Sequence, residues 1–277
     1  MPARFLLIRN PTMHLIQPIA AVAATVSEVA EKTGIDKFFN DLWNSFELNF
    51  IKENRWKFIV DGLLATLRIT LIALLIGVLL GFLVAAVRST YDMRLQKRKC
   101  RTAGDVVLKF LNFLCNIYIT VIRGTPAMIQ LMIMYFVIFA NSRNKEMVAA
   151  LSFGINSGAY VAEIVRSGIM SIDKGQFEAS RSLGFNYTST MFHIIMPQAF
   201  KNILPALGNE FIVLLKETSI APYVGIQELT YAGNLIRSRT YEAFFPLIAV
   251  ALIYLALVLI LSYGLKRLER RLRNSDH

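Results

Sequence analysis

The stretch GLLATLRITLIALLIGVLLGFLVAA, residues 62–86, decides the fold. It is apolar almost throughout, and roughly 20 such residues in a helix cross the hydrocarbon of a bilayer. Working outward, GTPAMIQLMIMYFVIFA (124–140) and AFFPLIAVALIYLALVLILSYGL (243–265) are runs of the same kind. MVAALSFGINSGAYVAEIVRSGIM (147–170) and QAFKNILPALGNEFIVLL (198–215) are similar but diluted by polar residues. By length the chain makes about five transmembrane helices. Composition agrees, with 55% of residues hydrophobic and 18% charged and a mean hydropathy of +0.48. The expected class is an all-α integral membrane protein.

The formal net charge is +11, which in a soluble protein would point to nucleic acid. Its placement points elsewhere. Arg88, Arg94, Lys97, Arg98, Lys99 and Arg101 form one basic cluster, Lys266, Arg267, Arg270, Arg271 and Arg273 another, and each abuts an apolar run. Such clusters flank spans on the cytoplasmic side, so lipid is the expected partner and nucleic acid is not. Both clusters agree on one multi-pass topology in the cell membrane, with the N-terminus outside and the C-terminus cytoplasmic. Residues 1–54 are then an external extension without assigned role, 55–270 the transmembrane domain and 271–277 a cytoplasmic tail. Residues 104–120 hold Asp105 and Lys109 in an apolar helical pattern, expected to be an interfacial helix leading into the second span. Cys100, Cys115, His14 and His193 show no metal-ligand or disulfide spacing.

In lipid, helices approach closely where small residues line one face. Gly77, Gly81 and Ala85 do so in the first span, and Gly154, Gly158 and Ala162 in the third. The third span also has a polar stripe of Asn156, Tyr160, Glu163 and Ser167 at helical spacing. A carboxylate at depth costs about 2.5–3.5 kcal/mol, so Glu163 either faces the bundle interior on a solute path or pairs with Arg166. Arg68 raises the same question.

One segment between the runs is polar: QFEASRSLGF, residues 176–185. Asp173 and Gln176 make a capping-box-like start, and Gly184 supplies the residue that most easily ends a helix in the left-handed conformation. A helix of about ten residues is only about 15 Å long, too short to span. It is either an amphipathic helix lying on the membrane or a docking element for a soluble partner.

EASRSLGFNYTSTMFHIIMP (178–197) resembles the EAA loop of ABC importer permeases, with Glu178, Ala179, Gly184, Ile194 and Pro197 in register and Ser180 and Met196 departing from the pattern. IRGTP (122–126), NSGAYVAEIVRSGI (156–169) and LLKETSI (214–220) narrow the resemblance to polar amino-acid permeases of the histidine/glutamine/arginine type, over about residues 50–270. The resemblance implies a type I ABC importer permease fold with a short cytoplasmic coupling helix, a second permease subunit (identical or related), ABC ATPase subunits and an external solute-binding protein. It assigns ATPase coupling to Asp173, Gln176, Phe177, Glu178, Ala179, Ser180, Leu183 and Gly184. ATP and Mg would belong to the partner ATPase, with no cofactor on this chain, which lacks G-x-x-x-x-G-K-[ST]. It also lacks a hydrolase-like nucleophile, base and orienter, so an enzyme is not expected. Candidates for the substrate pathway are Asn156, Tyr160 and Glu163 from their periodicity, with Lys216, Glu217 and Thr218; Lys216 and Glu217 are alternatively a membrane-surface charge pair. Two rivals stay open. An ion-gradient carrier would use Glu163 as a proton or sodium site but has no use for the polar insert, and a non-transporting scaffold would use the stripe for helix contact alone.

Overall fold

The computed structural model describes residues 34–95 and 102–273. Outside the described residues lie 1–33, with His14; 96–101, with Cys100 and most of the first basic cluster; and 274–277, at the end of the expected tail. The chain divides into two units, Met1–Arg55 and Trp56–His277.

In the first unit, helix α1 covers 34–46. A π-helical turn, Glu47–Ile51, and a 3-10 turn, Lys52–Asn54, follow. Glu53 and Asn54 take positive φ there. Arg55 steadies this turn, donating to the Leu48 carbonyl at 2.8 Å and pairing with Glu53 at 3.1 Å.

The second unit starts with α2, Trp56–Arg94. At 39 residues it is about 58 Å long and runs well past the hydrocarbon. α3, Ala103–Gly124, corrects the expectation of an interfacial helix over 104–120: it is 22 residues long and apolar enough to cross a membrane. The two charges that made it look interfacial sit in its first turns. Asp105 belongs to a capping box, exchanging bonds with Thr102 at 3.0 and 3.3 Å, so the rest of the helix is free to be apolar. The expected span at 124–140 is corrected by the same boundary. Thr125, preceding Pro126, is extended, as a pre-proline residue prefers. The helix breaks there and restarts as α4, Ala127–Ile133, continued by a π-helical turn to Ile138. That piece alone is about 18 Å, short of the hydrocarbon thickness.

α5, Lys145–Met170, is the central helix, capped by Asn144. The short α6, Lys174–Ser182, and α7, Tyr187–Thr190, come next, and a π-helical turn, Met191–Ile195, joins α7 to α8, Met196–Glu217. A 3-10 turn over Thr218–Val224 leads to α9, Leu229–Thr240, and then α10, Phe244–Arg273. Among the described residues four helices, α2, α3, α5 and α10, have both the length and the apolarity to cross a membrane. α8 has the length of a fifth, but Lys201, Asn202, Asn209 and Glu210 dilute it.

The small-residue faces expected of α2 and α5 meet each other. A Cβ on Gly77 would touch Ser157 at 3.1 Å, one on Gly81 would collide with Val161, and one on Gly154 would lie 3.0 Å from the Ala73 carbonyl oxygen. Ala85 and Ala162 complete the seam, both buried. On the opposite side of α2, Leu71, Leu75, Leu79 and Leu83 are exposed at every fourth position, the face a hydrocarbon solvent would cover. α8 approaches α5 through Gly168 and Ile203, and α10 through Gly208 and Leu265.

Candidate functional site

α6 is built to hold its shape. Its N-cap, Asp173, accepts from the Gly175 amide at 2.6 Å, while Gln176 bonds back to the Asp173 carbonyl through its own amide at 3.1 Å. At the other end Phe185 N–H reaches the Ser180 carbonyl at 3.1 Å and Gly184 N–H the Arg181 carbonyl at 3.0 Å, the paired bonds of a Schellman stop. This stop needs the left-handed φ of +82° that Gly184 takes. Phe177 packs on the cluster of Val165, Ile169, Ile195, Ala199 and Ile203. Ser180 is buried, its hydroxyl on the Phe177 carbonyl at 3.0 Å. Gln176, Glu178, Ala179, Arg181, Ser182, Leu183 and Gly184 face outward. Leu183 is 77% exposed with Phe185 beside it, an unusual amount of apolar surface for so short and polar a helix.

Next to this helix in the chain, the ends of α2 and α5 are joined by charges. Arg88 bonds Glu163, Glu163 bonds Arg166 at 3.1 Å, and Arg166 bonds Asp92 at 3.1 Å. Glu163 therefore has the Arg166 partner offered by one sequence alternative and, in Arg88, a second that sequence reasoning missed.

Of the other stripe residues, Asn156 and Tyr160 meet other helices, whereas Ser167 is exposed and donates to the Ile164 carbonyl of its own helix at 3.0 Å. Asn156 is buried and donates to the Gln130 side-chain oxygen at 2.9 Å. Gln130 in turn donates to the Ile122 carbonyl and the Thr125 hydroxyl, each at 2.7 Å, bridging the break between α3 and α4. Arg123 lies over the Tyr160 ring, 5.2 Å from its centroid. Among the described residues no hydrogen bond or ion pair joins Lys216, Glu217 or Thr218 to this stripe. Lys216 is exposed, Glu217 half-buried, and Thr218 buried with its hydroxyl on the Leu215 carbonyl at 2.7 Å. Arg68 pairs with Glu146 at 3.6 Å, both largely exposed.

Two carboxylates escaped the sequence reading. Glu210 on α8 accepts from the buried Ser157 hydroxyl at 2.7 Å; it lies seven residues before Glu217 and so on the same helical face, a visible signal. Glu228 is fully buried and caps α9, accepting from the Tyr231 amide at 3.0 Å, the Thr66 hydroxyl at 3.1 Å and the Tyr254 hydroxyl at 2.8 Å. Among the described residues no group of three or more His, Cys, Asp or Glu could hold a metal ion.

Helices that cross a membrane with polar groups held between them, and one short capped helix standing out from the bundle, define a polytopic membrane protein of the transport class. The chain belongs to the binding-protein-dependent transport system inner membrane components, whose family model matches residues 103–274. It is 37% identical over 218 residues, 78% of this chain and 93% of the relative, to a putative glutamine transport system permease protein, GlnP, of Rickettsia typhi. It is also 37% identical over 222 residues, 79% of this chain and 94% of the relative, to the arginine transport system permease protein ArtQ of Bacillus subtilis. An amino acid ABC transporter solved with histidines superposes with a TM-score of 0.69 at 40% identity, covering 80% of this chain and 98% of that one. The chain is therefore a membrane-spanning permease subunit of an ABC importer, a transport component rather than an enzyme, with the fold of a type I importer permease.

Proposed function

We propose that this permease passes a polar amino acid inward and is driven by a separate ABC ATPase that seats on α6. The observation that carries the docking is the surface of α6: Leu183 is largely exposed, while Phe177 and Ser180 fasten the helix to the α5 and α8 cluster. A partner that covers Leu183 and moves would pull on α5 directly. Asp173, Gln176, Phe177, Glu178, Ala179, Ser180, Leu183 and Gly184 form the coupling element, with ATP and Mg held by the ATPase. ATP must favour one arrangement of the ATPase pair, and a loaded solute-binding protein the opposite orientation of the permease, for the cycle to turn. The N-terminus lies outside and the C-terminus in the cytoplasm, where the arginines and lysines closing α10 gather. A second permease chain, identical or related, completes the path.

The substrate class is supported by the relatives, named for glutamine and arginine transport. Polar groups facing helix seams here, Asn156 with Gln130, Arg123 with Tyr160, and Glu210 with Ser157, offer both charges to a zwitterion. Glu163, Lys216, Glu217 and Thr218 complete the candidate path.

The test is to tag the chain, extract it mildly from membranes and identify what co-purifies, beside a Gly184→Asp variant. Recovery of a Walker-motif ATPase with the parent chain and its loss with the variant is expected. Transport by the purified chain alone in vesicles would return the ion-gradient carrier.

A further inference from the structure

α1 has an apolar stripe that nothing in the described chain covers. Ile35, Phe38, Phe39, Leu42, Trp43 and Phe46 recur at i, i+3, i+4, i+7, i+8 and i+11, one face of a helix. All six are exposed, Phe39 at 63% and Trp43 at 59%. Trp43 stacks on Phe46, with ring centroids 5.8 Å apart, and Phe46 meets Phe50 at 5.1 Å. The other face holds Asp36, Lys37, Asn40, Asp41, Asn44 and Ser45. A helix this short is marginal in water, the more so with Gly34, Asn40, Asp41 and Asn44, all weak helix formers, within it. Its stability has to come from a surface that accepts the stripe.

We propose that α1 lies in the plane of the membrane, its aromatic face sunk into the lipid interface on the side where α2 enters the bilayer. Three observations select lipid. First, Trp56 opens α2 exposed, with the Lys57 ammonium 6.0 Å from its ring centroid, the aromatic and cationic pairing that marks a membrane boundary. Residues 47–55 are all that separate Phe46 from that boundary, a covalent tether of at most about 33 Å. Second, the stripe is rich in Phe and Trp, which suit the headgroup region. Third, α1 is about 20 Å long and about 10 Å wide, so pairing it with the same face of a second copy buries far less than the roughly 1,200 Å² of a stable protein interface. The polar face has more Asp than Lys, so the attraction is apolar and does not rely on anionic lipid. The proposal is independent of which amino acid the permease moves and of which side of the membrane α1 occupies.

The chain has two tryptophans, so a full-length Trp56→Phe protein in phosphatidylcholine nanodiscs reports Trp43 alone. Emission is measured in plain lipid and in lipid brominated on the acyl chains near the headgroup or near the methyl end, with iodide as the aqueous quencher. Trp43 emission should fall about twofold with the shallow bromines and less with the deep ones, since an interfacial helix sits roughly 5–10 Å deep. Iodide should have little effect. Phe39→Asp in the same background should lower the bromine quenching and admit iodide, while the protein elutes and melts as before. Trp43 quenched by iodide and untouched by either bromolipid overturns the proposal. Protection from both quenchers overturns it in favour of a protein surface, a second copy if the emission follows permease concentration and a soluble partner if it appears only when that partner is added.

Discussion

Arg166 on α5 reaches across to Asp92 on α2, Nη1 to Oδ2 at 3.1 Å, while its Nη2 holds Glu163 at 3.1 Å. With Arg88 on the far side of Glu163, two cations and two anions alternate between the helices, so the set is neutral and each charge has an opposite neighbour. None of the four side chains is more than 28% exposed, so their mutual bonds are only partly screened by solvent. α2 and α5 are thus seamed by glycines along their length and pinned by charge at this end, and three residues separate the end of α5 from the start of α6.

Glu163→Gln leaves Arg88 and Arg166 with one anion between them. The expected cost is on the order of 1–3 kcal/mol, seen as a melting temperature lower by roughly 5 °C. Removing Arg88 as well, in an Arg88→Gln, Glu163→Gln pair, should recover part of it, because the two losses share one interaction. Thermal melts of the purified chain measure this. Unchanged melting together with collapsed uptake would instead mark Glu163 as a solute contact.

At the seam, size rather than charge decides. A Cβ on Gly81 meets both the Val161 side chain and, at 3.0 Å, the backbone nitrogen of Ala162, which cannot swing aside. Gly81→Ala should therefore cost about 1–3 kcal/mol, while Gly264→Ala, with nothing within 4 Å, should stay within about 0.5 kcal/mol of the parent. Equal melting of the two would mean that α2 and α5 do not pack this closely.

The same seam shows what the sequence made legible. Glycine and alanine spacing announced the faces of α2 and α5, and the long apolar runs announced α2 and α10, because in lipid such patterns have few other uses. The cap and stop of α6 were equally plain in Asp173 and Gly184. The roles of α3 and α4 were misjudged because Asp105 and Lys109 were weighed against the whole of α3 although both sit in its first turns, and because hydropathy over 124–140 ignores the break at Thr125 and Pro126; the pairing of Thr102 with Asp105 was the overlooked local sign. Arg88 with Glu163 and Asp92 with Arg166 stand 75 and 74 residues apart, and no local pattern pairs residues at that distance. Glu228 carried no signal in the sequence, since nothing before folding shows that Thr66 and Tyr254 arrive beside it.

Leu183 tests the docking surface separately from the fold. At 77% exposure it supports little within the chain, so Leu183→Ser should leave melting within about 0.5 kcal/mol of the parent. If it is a central contact of the ATPase, losing it should cost about 2 kcal/mol of binding, roughly a thirtyfold weaker association by titration in nanodiscs. Retained affinity would move the contact to another part of α6.

Glu228 makes the sharpest chemical prediction. Its two oxygens receive the Tyr231 amide, the Thr66 hydroxyl and the Tyr254 hydroxyl, and Thr66 is further committed by accepting from the Leu229 amide at 3.1 Å. Glutamine offers one oxygen where the carboxylate offered two, so its NH2 group must face either the Tyr231 amide or the two hydroxyls. In the first case the α9 cap is lost; in the second a hydroxyl must turn away from its present partner. Glu228→Gln should then cost about 1–2 kcal/mol, and Glu228→Ala more, because it strands all three donors in a site without water access. Tyr254→Phe removes the 2.8 Å bond to Glu228 and the 3.5 Å contact with the Thr230 hydroxyl and should cost about 1–2 kcal/mol. Combined with Glu228→Gln it should cost less than the sum, since the second change removes a donor the first has already disappointed. Thermal melts of the four proteins decide it: strict additivity would show that the 2.8 Å bond from Tyr254 does not tie α10 to α9.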